Sequence, residues 1–109
     1  MSSPNDLLDT VDRLMSDLSR ALGEEDWNRL GELNADIKPS VDPMMAAMES
    51  GALDVAAVKL RLEELQQLIG AIDQGARRAR QEAQDALKEV NRNRDVASAY
   101  QNISSSGPE

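Results

Sequence analysis

The fold of this chain is decided by residues 54–94, which read DVAAVKLRLEELQQLIGAIDQGARRARQEAQDALKEVNRNR. Apolar side chains recur there in steps that alternate between four and three residues, and no proline interrupts them. This spacing keeps one face of an α-helix apolar from end to end. The apolar positions are Val58, Leu62, Leu65, Ile69, Ile72, Ala76, Ala79, Ala83, Ala86 and Val90. We therefore predict one long helix, which would span roughly 60 Å if unbroken.

The composition of the 109 residues favours an all-α domain and argues against an enzyme. The chain contains no phenylalanine, one tryptophan and one tyrosine, so it lacks the aromatic clusters typical of a sheet. Without cysteine it forms neither a disulfide nor a thiolate metal site. Without histidine it also lacks the commonest general base and metal ligand. We predict no catalytic residue, no metal site and no cofactor.

Charge and hydropathy predict where the chain is found and which partners it avoids. The formal net charge is −8, and residues 1–64 account for it with fourteen acidic against six basic side chains. An acidic surface repels phosphate groups, so we do not expect nucleic acid as a partner. The sequence has no apolar run of about 18 residues and no secretory signal at its N-terminus. We therefore expect a cytoplasmic protein without membrane insertion.

The first 23 residues predict an amphipathic helix. Ser3 is a good N-cap, Pro4 suits the first helical position and Gly23 supplies a C-terminal stop. The apolar seam comprises Leu7, Val11, Leu14, Leu18 and Leu22, and the opposite face carries Asp9, Asp12 and Asp17. This helix would cover only about 30 Å of the long one.

A second helix is predicted to begin at Glu24-Glu25-Asp26. Three consecutive carboxylates suit the N-terminal end of a helix dipole. They do not converge on one point, which favours this role over a metal or acid–base cluster. Trp27 is expected to be the largest core side chain, with ligand stacking as the alternative.

Pro39 and Pro43 are expected to interrupt this second helix, and Asp42-Pro43 to restart it. Met44, Met45 and Met48 follow within a few residues. Methionine adapts to irregular surfaces, so this cluster forms either a docking patch or a gap-filler beneath the helix pair.

The second half of the long helix carries alanine where the first half carries bulky side chains. Either another helix approaches closely there, or the domain leaves this end uncovered. Because the preceding helices are shorter than the long one, we expect some of its far end to be uncovered. Gly70 and Gly75 cost about 1 kcal/mol each inside a helix, so a bend near Gly75 is a second alternative.

A short apolar stripe follows the polar run 91–94 and contains Val96, Tyr100 and Ile103. We expect it to form a short helical extension that folds back over the uncovered end or is replaced there by a partner. Residues 104–109 have nothing to bury and are predicted to be disordered. The predicted fold is a single domain over residues 4–103, an antiparallel bundle of three to four helices. The candidate partner-binding residues are Met44, Met48, Ala83, Leu87, Val90, Val96, Tyr100 and Ile103.

Two short motifs and the order of the helices carry a resemblance to known proteins. Glu25-Asp26-Trp27 opens the second helix, with Leu30 and Leu33 behind it. Asn91-Arg92-Asn93-Arg94 precedes Ala99-Tyr100 at the end of the long helix. Over roughly residues 5–103 the chain resembles the FliT family of flagellar export chaperones. It departs from the family pattern at residues 39–43, Gly70 and Gly75.

The resemblance implies a cytoplasmic chaperone of type III flagellar export. Its client would be the C-terminal helical region of the filament-cap protein, which it keeps unassembled before export. The resemblance also implies contacts with the export ATPase complex and, in some bacteria, with the flagellar transcriptional activator. A C-terminal segment that masks the binding groove would here be residues 96–103, with Tyr100 matching the family's Ala-Tyr pair. We expect a monomer or a weak homodimer.

Two other classes of protein fit the sequence less well. Residues 39–43 look like the proline-containing turn of helical hairpins that build secretion needles, so a self-assembling structural subunit is the alternative. The methionine cluster and the C-terminal stripe fit that alternative less well. An enzyme finds no support, because the sequence offers no Gly-rich phosphate loop and no nucleophile with a histidine partner.

Overall fold

The computed structural model describes the backbone of residues 3–105 and the side chains of residues 3–94. Within that range the chain forms four helices and no strand: α1 (Pro4–Gly23), α2 (Trp27–Asn34), α3 (Ile37–Glu49) and α4 (Val55–Ser105). This confirms the predicted all-α fold with one long C-terminal helix. The chain divides into two units, residues 1–75 and 76–109, and α4 contributes to both. The prediction of a single domain over residues 4–103 stays a prediction.

Helix α1 begins where the sequence places it. The Asp6 N–H donates to the Ser3 hydroxyl at 3.3 Å, and the Ser3 N–H donates to the Asp6 carboxylate at 3.0 Å. This reciprocal capping box satisfies donors that the first helical turn leaves unpaired. At the other end Gly23 is still helical, and the left-handed position belongs to Glu25, whose φ is 53°. Helix α1 therefore ends at Gly23 as predicted, and the left-handed residue lies in the turn that follows the helix.

In residues 1–75 the helices form a bundle of three segments around one core: α1, then α2 with α3, then the first part of α4. The middle segment, α2 with α3, runs antiparallel to α1, because α2 packs near the end of α1 and Met44 of α3 packs against Val11. Helix α4 runs parallel to α1, since Val58 also packs with Val11 and Leu65 packs with Leu18. The buried hydrophobic side chains are Val11, Leu14, Leu18, Ala21, Leu30, Leu33, Met44, Leu53, Val58 and Leu65.

The position of the break between α2 and α3 differs from the prediction. Helix α2 ends at Asn34 and α3 begins at Ile37, so the break lies at residues 35–36. Pro39 falls in the first turn of α3, where its missing N–H has no helical acceptor to satisfy. Pro43 stays inside α3 and forfeits one helical hydrogen bond. The complete burial of the next side chain, Met44, stabilises the helix against that loss.

The predicted apolar face of α4 is confirmed at most positions in residues 55–75 and wrong at one. Val58 and Leu65 are buried, but Ile69 is 42% exposed and Leu68 packs against the core in its place. At this point of α4 the side that contacts the core includes Leu65 and Leu68, and Ile69 lies beside it.

In residues 76–109 the described backbone, up to Ser105, is helical without a break at residues 91–94. The predicted extension therefore continues α4, and the turn that a fold-back would need is missing from this stretch. Helix α4 includes Ser104 and Ser105, and the predicted disorder of residues 104–109 stays a prediction. The rest of the predicted tail, and the side chains of Val96, Tyr100 and Ile103, lie outside the described residues.

Candidate partner-binding surface

The methionine cluster of α3 belongs to the interior. Met44 is 0% exposed and packs with Val11, Leu53 and Val58. Met45 and Met48 are half-buried and pack against the same cluster. Of the two alternatives for this cluster, gap-filling describes Met44. Contrary to the expectation for a partner-binding residue, Met44 offers no surface to a partner, because no part of its side chain reaches solvent.

The predicted partner-binding residues in the second half of α4 lie at the surface. Every side chain from residue 81 to residue 94 is exposed, including Ala83. Leu87 is 60% and Val90 53% exposed, which makes them two of the most exposed large apolar side chains that the structure describes. Large apolar side chains left in water on one helix face are typical of a surface that binds a partner.

Helical geometry arranges these residues in columns, because residues seven apart lie almost in line after two turns. Ala83 and Val90 form one column, and Ala79 and Ala86 form the column beside it. We call these two columns together with Leu87 the α4 stripe. The stripe is apolar over about three turns and narrow enough for a single partner helix.

Charged side chains of opposite sign flank the two columns of the α4 stripe. Arg80 and Arg94 lie on one side, in the column of Leu87 and two turns before and after it, and Glu82 and Glu89 form the column on the other side. All four side chains are exposed, and none of them forms a hydrogen bond or ion pair with another described residue. The stripe is therefore flanked by charges that are available to a partner.

Trp27 and the acidic run before it have structural roles. The Trp27 ring is half-buried, and its Cη2 atom lies 3.0 Å from the position of a Cβ placed on Gly75. Gly75 thus gives the indole room to pack against α4, which explains a glycine that the sequence marked only as a helix weakness. Asp26 caps α2 by accepting the Arg29 N–H at 3.1 Å. Among the described residues no group of acidic side chains could hold a metal ion.

Sequence analysis missed an ion pair between α1 and α4. The Arg61 guanidinium donates to both carboxylate oxygens of Asp12 at 2.9 and 3.1 Å, and to the Ala57 carbonyl at 3.0 Å. The sequence places Asp12 on the polar face of α1, whereas it lies half-buried at the edge of the helix contact. The sequence does contain a signal for the pair: Arg61 immediately precedes Leu62, a residue of the predicted apolar face, and so lies at the border of a buried face.

A shallow groove beside this ion pair is a second candidate for a partner-binding surface. Met15 and Leu68 form its floor between α1 and α4, and its rims carry Ser16, Ser19, Glu64 and Gln67. Both floor residues already pack against the core, so little apolar surface is left for a partner. The α4 stripe is the stronger candidate, since its large side chains have more than half of their surface in water.

These features define a class: a small all-α protein whose long helix presents an exposed apolar stripe between charged columns. Among the described residues, no helix combines the length and apolar character needed to cross a membrane. Comparison with protein-family models, with curated proteins and with solved structures finds no match to this chain. The FliT resemblance drawn from the sequence therefore stays a prediction.

Proposed function

We propose that this protein is a helix-binding chaperone whose α4 stripe holds an amphipathic helix of a client protein. The exposure of Leu87 and Val90 is the observation that supports this proposal most directly. Burying such a side chain fully is worth about 1.5–3 kcal/mol, so covering two that are half exposed would contribute about 2 kcal/mol. Helix-in-groove recognition uses anchors with this i, i+3, i+4, i+7 spacing.

The resemblance to the FliT family supplies the client. We propose that the chain binds the C-terminal helical region of the flagellar filament-cap protein in the cytoplasm and keeps it unassembled until export. The export ATPase complex and the flagellar transcriptional activator are further partners that the resemblance implies. Client binding would raise the free energy of unfolding of this chain by mass action, because the client helix binds the folded chain and not the unfolded one.

The alternative, a self-assembling hairpin subunit, loses its main support in the fold. That alternative requires a proline-containing turn at residues 39–43. These residues are helical, and they lie within the first two turns of α3. We therefore retain the chaperone proposal.

The test is a titration of the full chain with the purified C-terminal segment of the cap protein. Leu87→Asp and Val90→Asp should each weaken binding at least tenfold, since each places a charge in the apolar contact. Gln84→Asp is the matched control, because it adds the same charge at an exposed position outside the stripe. Absence of binding at micromolar concentration, or equal weakening by the control, would reject the proposal.

A further inference from the structure

We propose that the partner helix is split-charged, with acidic side chains along one edge, basic side chains along the other and bulky apolar side chains between them. This inference rests on the proposed function, and it specifies the chemistry of the client helix that the α4 stripe accepts. It follows from the order of columns across the stripe: arginine, apolar, apolar, glutamate.

The charged columns favour such a helix over one with uniform charge. Carboxylates that approach Arg80 and Arg94 are attracted, and carboxylates that approach Glu82 and Glu89 are repelled. For basic side chains the two signs are reversed. A helix with only acidic or only basic edges therefore gains on one side of the stripe and loses on the other. A split-charged helix gains on both sides.

The size of the seam residues favours a client over a second copy of this chain. Ala79, Ala83 and Ala86 present only methyl groups, so a second copy paired in parallel and in register would bring alanine against alanine over most of the contact. A second copy paired antiparallel would bring the arginine edges of the two stripes against each other. A partner with leucine, isoleucine or methionine in its seam fills that space and buries more apolar area. The partner is thus complementary to the stripe in side-chain size as well as in charge.

The split charge also sets the direction of the partner helix. Reversing the direction of a helix on the stripe exchanges which of its edges meets the arginines. A client with a fixed order of acidic and basic edges therefore binds in one direction and is repelled in the other. This arrangement resembles the way in which edge charges set orientation in coiled coils.

The experiment uses the full chain and three synthetic helical peptides that share one leucine-and-isoleucine seam. The edges of the first peptide are glutamate on one side and lysine on the other, those of the second are all glutamate, and those of the third are all lysine. At low salt we expect the split peptide to bind about fivefold more tightly than either uniform peptide, from two exposed pairs gained on each side. The preference should shrink as salt rises to 1 M.

A charge-reversed variant makes the test sharper. In the double variant Arg80→Glu with Arg94→Glu both edges of the stripe are acidic, so the all-lysine peptide should become the tightest of the three. Lys88→Glu is exposed and lies away from the stripe, so it should leave the order of the three peptides unchanged. Because all these positions are exposed, circular dichroism should show the same helix content in every variant.

The outcomes separate this inference from the function on which it rests. If the cap-protein segment and all peptides bind with no preference among edges, the split-charge inference is overturned and the chaperone proposal stands. If neither the segment nor any peptide binds, both are overturned. Concentration-dependent self-association that the split peptide cannot displace would assign the stripe to a second copy and would also overturn the inference.

Discussion

Leu65 and Leu87 are leucines of the same helix, yet their surroundings are opposite. Leu65 is 4% exposed and packs with the leucines of α1 and α2, whereas Leu87 is 60% exposed. The comparison extends to their neighbourhoods, because residues 55–75 alternate between core and surface and every side chain at 81–94 is exposed. An apolar pattern therefore predicts which face of a helix avoids water, and it does not predict whether other residues of the same chain bury that face.

The largest expected difference comes from truncating these two leucines. Leu65→Ala should lower the free energy of unfolding by about 2–5 kcal/mol, because it removes buried methyl groups and leaves a cavity. Leu87→Ala should change it by less than about 0.5 kcal/mol, since an exposed side chain loses little on truncation. Urea unfolding followed by circular dichroism measures both. Equal destabilisation by the two variants would contradict the distinction between the buried and exposed parts of the helix.

Gly70 and Gly75 test which positions of α4 are in close contact with the core. Gly70→Ala should raise the free energy of unfolding by up to about 1 kcal/mol, because a Cβ there meets nothing within 4 Å and alanine favours helix. Gly75→Ala brings the same gain in propensity but places its Cβ 3.0 Å from the Trp27 ring. Overpacking of this kind costs about 1–3 kcal/mol, so the Gly75 variant should be the less stable of the two. Trp27 fluorescence should shift in that variant alone.

The smallest effect separates a tertiary ion pair from a local hydrogen bond. Asp12→Asn removes the bidentate ion pair with Arg61 and should lower the free energy of unfolding by about 1 kcal/mol. The loss should be smaller at 1 M salt, because salt screens the attraction between the two charges. Asp85→Asn disturbs only the hydrogen bond from Gln81 within one helix face and should cost about 0.3 kcal/mol. Thermal unfolding at low and high salt compares them. A salt-independent loss at Asp12 would indicate packing in place of charge.

Much of the fold could be predicted because it depends on local signals. The N-cap at Ser3, the seam of α1 and the all-α fold follow from spacing and residue type. The break at residues 35–36 could not be predicted, because proline at residues 39 and 43 gives a stronger local signal than Asn34-Ala35-Asp36. Packing of Met44 in the core keeps α3 helical through Pro43.

The candidate site was predicted in part for the same reason. Ala83 and Val90 follow from helical periodicity, and their exposure, like that of Leu87, agrees with a surface role. Met44 was misplaced because a methionine in a docking patch and a methionine in a core have the same sequence signature. The Arg61–Asp12 pair was missed because residues 49 positions apart in the chain meet only once α4 lies parallel to α1.

The sequence alone determined that this protein is helical, that α4 is long and which of its faces is apolar. Those properties depend on hydrogen bonds within a helix and on a repeat of three to four residues, both of which are written locally along the chain. Only the tertiary structure decided which apolar residues are covered, that Gly75 makes room for Trp27, and that Met44 is interior. Whether a side chain is buried depends on contacts with residues far away in the sequence, and the local sequence pattern does not show which residues make those contacts.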